Sequence, residues 1–371
     1  MRRRDFLCTS SAAVVLRAQT APRARIEPIR TISHQPEYYH GWPTVTARRT
    51  GELLLVYSGG RDAHVCPFGR VELMRSRDGG RNWSWPEVLW DSPIDDRDSG
   101  IVETASGALL VTTFTSLAYE PVLKEASGWP SDKLARWQTA DLRTTPEQRR
   151  ALLDTWMLRS TDGGMTWSAP YRVPVNSPHG PTALKDGRLL YAGKQLWQPG
   201  SKVGVCESSD DCKTWRWFSD IPARPNDSVV QYHELHAVQA ANGRIIVHIR
   251  NHNPPNQNET LQTESSDGGR TWTTPHPIGV WGLPSHLLRL RDSRLLMTYG
   301  YRRAPFGNQA RVSNDHGATW SEPVVISDDG AGVDLGYPST VELEGGQLLT
   351  VWYESLKGSP HAVLRQARWA L

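Results

Sequence analysis

One eight-residue motif occurs five times in this chain of 371 residues and constrains its fold more than any other feature. The shared pattern is Ser-x-Asp-x-x-x-Thr/Asn-Trp, with Gly at the fifth position in four copies. The Asp can accept hydrogen bonds from backbone N–H groups further along, and Gly supplies positive φ, so each copy predicts a hairpin turn. The copies are Ser76–Trp83, Ser160–Trp167, Ser208–Trp215, Ser265–Trp272 and Ser313–Trp320. Their recurrence predicts a repeat architecture.

A second repeat, a small residue followed by an apolar run, occurs six times and extends the pattern. These anchor residues are Gly51, Gly107, Gly187, Gly243, Ser293 and Gly346. Neighbouring anchors are about fifty residues apart, except for eighty between Gly107 and Gly187. Six such units predict an all-β, six-bladed β-propeller over residues 26–371. Only the last unit lacks the eight-residue motif, so we expect its blade to be completed by an N-terminal strand within residues 25–32.

The long interval in the second unit carries the main helical signal of the chain. The segment from Thr144 to Trp156 predicts a capped helix with Pro146 in its first turn. This helical insertion in the second blade is either a surface addition or a wall beside a pocket.

The first twenty residues resemble a twin-arginine export leader, which predicts a periplasmic or extracellular protein. Three arginines precede an apolar stretch, residues 8–16, that is too short to span a membrane. Residues 1–20 hold four Arg and one Asp, a charge of +3, which equals the formal charge of the whole chain. The rest is therefore near neutral, which argues against a nucleic-acid partner.

The cysteines leave two interpretations open. Cys206 and Cys212 flank one hairpin motif and form either a disulfide after export or two free thiols. Cys66 has no evident partner, and no spacing in the chain is typical of a zinc site. We expect no metal and no cofactor.

Alignment of the six units isolates a ring of residues nine positions before each anchor. The ring consists of Trp42, Asp98, Pro178, Glu234, Pro284 and Tyr337. In a propeller the innermost strand starts near the central axis on the ligand-binding face, so these side chains should meet there. His179, His236 and His286 lie within two residues of the ring. Each polar residue could satisfy a local backbone group, but the convergence of three ionisable ring residues favours a ligand site.

Positively charged residues also occur at similar distances after several of the anchor residues. Arg250 stands seven residues after its anchor, Arg302 nine and Arg61 ten. If the blades are equivalent, these side chains point into the same cleft. Convergent arginines favour an anionic ligand, because the guanidinium fork binds a carboxylate through two hydrogen bonds.

With these motifs the chain resembles the sialidase superfamily of propeller glycosidases, in which the eight-residue motif is called an Asp box. The resemblance covers residue 26 onward and implies that Tyr337 is the nucleophile and Glu234 the group that takes its proton. It also implies that Arg250 and a second arginine bind the sugar carboxylate; Arg302 is the better match to the second one, and the adjacent Arg303 is its rival. Arg61 would be a further pocket arginine, and Glu354 would correspond to the acid that steadies the first arginine of the family's triad.

Two departures from the family pattern affect the site. The first arginine of the triad is replaced by Trp42, which could stack on the sugar face. The loop that should carry the acid/base aspartate contains Asp62 as its only carboxylate, earlier than the pattern requires, and His64 is the alternative proton donor. Asp98 would contact a sugar hydroxyl or amide.

Three functions compete. The first is an exo-acting glycoside hydrolase that releases a terminal acidic sugar from a glycan, with sialic acid favoured. The second is a propeller glycosidase or lyase acting on another acidic sugar such as a uronic acid, with His64, His179 or His236 as proton shuttles; the lost arginine and the many histidines favour it. The third is a non-catalytic glycan-binding propeller, against which the Tyr337–Glu234 pair argues.

Overall fold

The structure, a computed structural model, describes residues 20–198 and 200–371. All but the last residue of the predicted export leader lies outside these ranges. Within them, no helix is long and apolar enough to cross a membrane.

The described chain forms a six-bladed propeller, as the sequence predicts. Two short strands come first, β1 (Arg25–Ile26) and β2 (Arg30–Thr31). Blade one contains β3 (Tyr39–Ala47), β4 (Leu53–Arg61), β5 (Arg70–Ser76) and β6 (Glu87–Trp90). Blade two contains β7 (Asp95–Glu103), β8 (Leu109–Ser116), β9 (Thr155–Ser160) and β10 (Tyr171–Arg172). Blade three contains β11 (Thr182–Ala183), β12 (Leu189–Lys194), β13 (Val203–Ser208) and β14 (Arg216–Asp220).

The remaining blades repeat the same antiparallel order from the axis outward. Blade four contains β15 (Tyr232–Gln239), β16 (Ile245–Asn251), β17 (Thr260–Ser265) and β18 (His276–Pro277). Blade five contains β19 (Ser285–Arg289), β20 (Leu295–Tyr301), β21 (Gly307–Ser313) and β22 (Val324–Ser327). Blade six contains β23 (Leu335–Glu342), β24 (Leu348–Glu354) and β25 (Val363–Ala370). Its outer edge is β1 and β2, which both pair with β25, so the expected closure by the N-terminal segment is confirmed.

The anchor residues occupy the turns between first and second strands, where the backbone needs a left-handed conformation. The φ angles are 85° at Gly51, 89° at Gly107, 87° at Gly187, 91° at Gly243, 77° at Ser293 and 79° at Gly346. Glycine is the default residue at positive φ because it has no Cβ to clash with the backbone. Ser293 is the one anchor that adopts this conformation with a side chain.

The Asp boxes form hairpin turns between the third and fourth strands, which confirms the predicted turn. In the second copy, Asp162 Oδ1 accepts hydrogen bonds from the N–H groups of Met165 and Thr166, both at 3.0 Å. The Thr166 hydroxyl donates to Asp162 Oδ2 at 2.6 Å. The Ser160 hydroxyl donates to Asp162 Oδ1 at 2.7 Å and accepts from the Gly164 N–H at 2.8 Å.

The Asp boxes also join each blade to the preceding one. The Trp272 indole donates to Ser219 Oγ in blade three at 2.9 Å. The indole of Trp83, in the first box, donates to Gln366 Oε1 in β25 at 2.8 Å. The first box therefore binds the first blade to the last. Because consecutive strands are antiparallel, all boxes lie on the same face as the anchor turns, opposite the face where first strands begin.

The core lies between the blades rather than inside them. Each pair of neighbouring blades buries one apolar cluster, which gives six clusters for six interfaces. At the closing interface, Trp42 of blade one packs with Leu349 and Tyr353 of blade six. Burial of each large apolar side chain stabilises the fold by about 1.5–3 kcal/mol.

The insertion between β8 and β9 contains three helices, α1 (Tyr119–Lys124), α2 (Ser131–Leu142) and α3 (Pro146–Leu152). Helix α3 begins as predicted, with Thr145 as N-cap in a capping box with Gln148. It ends earlier than the sequence suggested, because Trp156 belongs to β9.

The insertion packs on the loop between β4 and β5. Its residues Tyr119 and Trp137 form a buried cluster with Cys66 of that loop and Ile94. The insertion is therefore joined to the top of blade one.

The described cysteines Cys66, Cys206 and Cys212 are all buried free thiols. Of the two interpretations left open by the sequence, the structure therefore has free thiols. Burial raises the pKa of both Cys206 and Cys212 to about 12.

The anchor turns generate a matched pair of stability predictions. We expect Ser293→Gly to raise the free energy of unfolding by about 0.5–1 kcal/mol, because removing Cβ relieves the left-handed strain by more than the added chain entropy costs. Gly243→Ser should lower it by a similar amount, since a Cβ there meets no atom within 4 Å and only the φ of 91° opposes it. Denaturant unfolding measures both. Changes of the same sign would contradict the equivalence of the two turns.

Candidate active site

Four of the six ring residues lie at a kink in the first strand of their blade. Their φ angles are positive: 54° at Trp42, 44° at Asp98, 46° at Glu234 and 50° at Tyr337. The strand register shifts around each of them, as at a β-bulge. The other two ring residues are Pro178 and Pro284, whose side-chain ring fixes a negative φ. Left-handed backbone costs a residue with a side chain about 1–2 kcal/mol, and such strain concentrates at functional sites.

The kinks bring Tyr337 and Glu234 together from blades six and four. The Tyr337 hydroxyl donates to Glu234 Oε1 at 2.5 Å. Arg250, on the neighbouring strand β16, donates to Glu234 Oε2 at 2.6 Å and to the Tyr337 oxygen at 3.4 Å. The Glu234 carboxylate therefore accepts hydrogen bonds from both the Tyr337 phenol and the Arg250 guanidinium.

The charge states of this group follow from burial and charge. Burial raises the pKa of Tyr337 well above its ordinary value, and the nearby Glu234 charge raises it further. Burial also acts to raise the pKa of Glu234, but Arg250, the hydrogen bond from Tyr337 and the charge of Arg302 together hold that pKa below its usual value. At neutral pH the group is a neutral phenol hydrogen-bonded to a carboxylate.

Two arginines offer free donors beside this pair. The Arg250 side chain is 16% exposed, and its hydrogen bonds to Glu234 and Tyr337 use NH1, which leaves NH2 available; its Nε is also unpaired among the described residues but is buried. Arg302 lies with its guanidinium carbon 5.9 Å from the Tyr337 ring centre. Its Nε donates to the Leu335 carbonyl at 3.0 Å, while its terminal nitrogens contact no acceptor in the described chain. Arg303, the neighbour of Arg302, instead stacks 3.2 Å over the Trp281 ring.

Trp42 fills the place where the family resemblance expects an arginine. The side chain is 1% exposed, and the guanidiniums of Arg61 and Arg97 lie 4.8 and 4.3 Å from its ring centre. Its ring also contacts Tyr337 at a centroid distance of 6.4 Å. The ring leaves little surface for the sugar stacking that the sequence suggested.

Arg61 lies beneath the pocket rather than in it. Its NH1 donates to Asp95 Oδ1 at 2.6 Å and to Ser58 Oγ at 2.8 Å. Its NH2 donates to Asp95 Oδ2 at 3.0 Å and to the His64 carbonyl at 2.9 Å. Its Nε donates to the Ala63 carbonyl at 3.3 Å. With every N–H engaged and no exposed surface, Arg61 is placed to support the loop and not to bind a ligand.

The two candidate proton donors point in different directions. Asp62 accepts hydrogen bonds from Arg136 NH2 at 2.6 Å and from the Trp137 indole at 3.0 Å, both on helix α2. It therefore connects the loop to the insertion. His64 instead lies against Trp42, with a distance of 5.0 Å between the ring centroids.

Asp98 is the one ring residue with an unpaired charge-bearing group. It is 5% exposed, and its carboxyl makes no hydrogen bond or ion pair with the residues that the structure describes. Burial raises the pKa of Asp98 to about 7, against the opposing effect of Arg97. It can therefore donate or accept a hydrogen bond to a ligand near neutral pH.

Glu354 faces away from Trp42, on the other side of blade six. Its Oε2 accepts hydrogen bonds from the Trp352 indole at 3.0 Å and from Arg365 at 2.5 Å. Arg365 also binds Asp329 through two hydrogen bonds of 2.7 and 3.0 Å. The carboxylate that the resemblance assigns to the missing arginine thus has a different arginine as partner.

His179, His236 and His286 stack around the propeller axis beneath the ring, with centroid distances of 4.7–5.2 Å. They line an axial cavity of about 320 Å³ whose walls include none of the four kinked residues. Burial lowers the pKa of all three well below the ordinary value.

The tautomers of two rings of this axial trio follow from their partners. His236 Nδ1 accepts from the Leu287 N–H at 2.8 Å, and His286 Nδ1 accepts from the Thr340 N–H at 3.4 Å. The remaining proton of these two neutral rings therefore sits on Nε2, which leaves them no lone pair for a metal. Within the described residues no group of three or more His, Cys, Asp or Glu is arranged to hold a metal ion. The trio is placed below the pocket that contains Tyr337.

Sequence reasoning missed a second group beside Trp42. Asp334 Oδ1 accepts hydrogen bonds from the hydroxyls of Tyr39 and Tyr353 at 3.0 and 3.1 Å, and lies 2.9 Å from His64 Nδ1. Tyr353 stands seven residues after its anchor, the offset of Arg250, so the repeat register could have found it. Asp334 directly precedes β23 and stands twelve residues before its anchor Gly346, the same offset as Tyr39 and Asp95 have from theirs, so the repeat register could have found it as well.

Comparison with known proteins identifies related chains. The model of the BNR repeat-like domain family matches residues 115–350. A sialidase of Bacteroides fragilis (strain YCH46) is 23% identical over 345 residues, covering 84% of this chain and 59% of its own length. The chain thus spans less than two thirds of that curated relative.

Solved structures share the fold. A protein of unknown function from Dyadobacter fermentans DSM 18053 has a TM-score of 0.78 and 22% identity, covering 94% of this chain and 100% of the other. The NanB sialidase of Streptococcus pneumoniae has a TM-score of 0.64 and 14% identity, covering 95% of this chain and 71% of its own.

The buried carboxyl of Asp98 predicts a specific pH dependence of stability. Its folded-state pKa of about 7 lies above the unfolded value, so the folded state binds the proton more tightly and loses stability as pH rises. Relative to Asp98→Asn, the native chain should lose up to roughly 4 kcal/mol between about pH 4 and 7. Unfolding free energies of both proteins across this range measure the difference. A pH-independent difference would contradict the raised pKa.

Proposed function

The chain belongs to the BNR repeat-like domain family, and from this membership and the pocket geometry we propose that it is an exo-acting glycoside hydrolase that releases a terminal acidic sugar. Sialic acid is the leading substrate, since the similar protein of Bacteroides fragilis is a sialidase. The observation that carries the proposal is the hydrogen bond from Tyr337 to Glu234, shared with Arg250.

This pair suits attack at an anomeric carbon that bears a carboxylate. An anionic nucleophile would be repelled by the substrate, whereas a phenol is neutral until its proton leaves. Because burial raises the pKa of Tyr337, the reaction needs a base within hydrogen-bond distance, and Glu234 is 2.5 Å away. In the proposed first step, Tyr337 attacks the anomeric carbon while its proton passes to Glu234.

The free donors of Arg250 and Arg302 supply the anion site. Both guanidiniums lie beside Tyr337, so a carboxylate bound by them would place the anomeric carbon near the phenol oxygen. Holding the substrate in this position lowers the entropic part of the barrier. Asp98, protonated or not near pH 7, is available to a hydroxyl or amide of the sugar.

A second candidate, a glycosidase or lyase for a uronic acid, is favoured by one observation. Trp42 occupies the position of the first carboxylate-binding arginine, so the anion site has fewer arginines than the family resemblance implies. Parallel assays with aryl sialosides and aryl uronides distinguish the two substrates. A lyase product would also carry a conjugated double bond, which ultraviolet absorbance detects.

The nucleophile prediction concerns one oxygen atom. Tyr337→Phe should keep the fold and lower kcat on an aryl sialoside by about 10³-fold or more, because it removes only the attacking hydroxyl. Tyr171→Phe, which alters a tyrosine in the outer strand of blade two, is the matched control and should keep its activity. A fluorinated sialic-acid probe should label Tyr337 covalently. Near-normal turnover of Tyr337→Phe would exclude this mechanism.

The anion-site prediction uses two adjacent arginines. Arg302→Ala should lower kcat/KM for the acidic substrate by about 10–100-fold, the value of a hydrogen bond to a charged group. Arg303→Ala removes the same charge one residue away, where the side chain stacks on Trp281, and should change kcat/KM little. Steady-state kinetics at two ionic strengths measures both. Equal losses would show a general charge effect instead of a carboxylate site.

A further inference from the structure

The loop between β4 and β5 presents one imidazole whose position is fixed from three sides. His64 Nδ1 lies 2.9 Å from Asp334 Oδ1 and 2.9 Å from the Tyr39 hydroxyl. The ring packs edge-on against Trp42. Side chains from blade one and from the loop before blade six therefore meet at His64.

The partners of Nδ1 determine where the ring carries its proton. Tyr39 and Tyr353 both donate to Asp334 Oδ1, so this oxygen is an acceptor throughout. Burial acts to raise the pKa of Asp334, but the hydrogen bond from His64 and those of the phenols hold it below the ordinary value. A carboxylate opposite Nδ1 keeps a proton on Nδ1. Nε2 is then the nitrogen that exchanges protons, and it makes no hydrogen bond to any residue of the described chain.

The backbone of His64 is held as firmly as its ring. Its carbonyl accepts hydrogen bonds from Arg61 at 2.9 Å and from Arg97 at 3.2 Å. On either side, Asp62 binds helix α2 and Cys66 lies in the buried cluster beneath the insertion. The insertion thus fixes both flanks of the histidine.

Exposure separates His64 from the other acids of the site. Its side chain is 46% exposed, whereas Asp98 is 5% exposed on the pocket floor. An exo-acting enzyme must let the aglycone leave towards solvent, so the proton donor to the departing oxygen has to stand at the rim. Asp62 is excluded by its hydrogen bonds to Arg136 and Trp137.

We propose that His64, oriented by Asp334, donates the proton to the departing aglycone oxygen and later accepts one from water. The proposal rests on the proposed function. In the first step Tyr337 bonds to the anomeric carbon, its proton goes to Glu234, the bond to the aglycone breaks and the Nε2 proton of the imidazolium goes to the leaving oxygen. In the second step neutral His64 takes a proton from water, whose oxygen displaces Tyr337, and Glu234 returns the proton to the phenol. Asp334 and Tyr39 are positioning residues.

The test varies the leaving group, because an activated phenol departs without a proton donor and an alcohol does not. His64→Gln should lower kcat/KM for alkyl or glycan sialosides by about 10²–10⁴-fold, and for an activated aryl sialoside by less than about 10-fold. The kcat/KM ratio is used because it reports only the first chemical step. His316→Gln, which alters an Asp box on the opposite face, is the matched control and should leave both values unchanged.

The positioning role has its own readout. The charged and titratable groups around the imidazole are Asp334, Tyr39, Tyr353, Arg61 and Arg97, and burial keeps both phenols neutral by raising their pKa. Asp334→Asn removes the one negative charge among them while retaining a hydrogen-bond acceptor. It should therefore move the basic limb of the kcat/KM profile for the alkyl substrate to lower pH, since the charged imidazole loses its counter-ion.

Three results would overturn the proposal. The first is an equal loss on aryl and alkyl substrates for a folded His64→Gln protein. The second is leaving-group discrimination produced by Asp98→Asn instead. The third is an unchanged pH profile for Asp334→Asn. Failure of the proposed function is a separate outcome, because it appears as retained turnover in Tyr337→Phe on every substrate.

Discussion

The left-handed kink in the first strand of four blades is the constraint on which the rest of the site depends. A regular strand alternates its side chains between two faces, so two consecutive side chains cannot both point towards the propeller axis. The kink at Trp42, Asp98, Glu234 and Tyr337 inserts a residue and turns one side chain towards the centre. Because each kink lies nine residues before an anchor turn, the repeat itself brings Glu234 and Tyr337 from different blades to within a hydrogen bond. The strain is tolerated because the six buried interfaces between blades fix the strands on both sides.

The sequence predicts the features that recur in every repeat unit, and few of the features that occur only once. Motif spacing predicted six blades, their closure and the ring that contains Glu234 and Tyr337, since these follow from a register shared by every unit. The repeat register gave a wrong prediction for Arg61, whose side chain was expected to point into the central cleft. Its direction is set by Asp95, which stands twelve residues before its anchor and so lies outside the ring of residues nine positions before each anchor. The contacts of Asp334 and Asp62 could not be predicted from the register of a single unit, because the contact of Asp334 crosses between blades and that of Asp62 depends on the insertion.

Trp42, where the family resemblance implies an arginine, has neighbours that fit an aromatic ring at this position. An arginine at this position would place a third cation beside Arg61 and Arg97, whose guanidiniums already lie within 5 Å of the indole centre. The aromatic ring instead accepts both cations on its faces, an interaction worth about 2 kcal/mol when desolvated. Glu354, with no arginine to bind on the pocket side, pairs with Arg365. The space near the indole is occupied by Tyr39, Tyr353 and His64.

The pocket is therefore assembled from buried groups whose charges differ because their charged and hydrogen-bonding neighbours differ. Tyr337 is kept neutral by burial, and Glu234 is kept ionised by Arg250 despite burial. Asp98, equally buried but without a partner, changes charge near pH 7. Below that pH, Glu234 is the one ionised carboxyl among Glu234, Asp98, Arg250 and Arg302, and these four groups carry a net positive charge. Above it, Asp98 is ionised as well, and the two carboxylates balance the two guanidiniums. The charge of the pocket and the protonation of Asp98 are thus linked, and the absence of a partner for this one carboxyl places the loss of the net positive charge near pH 7.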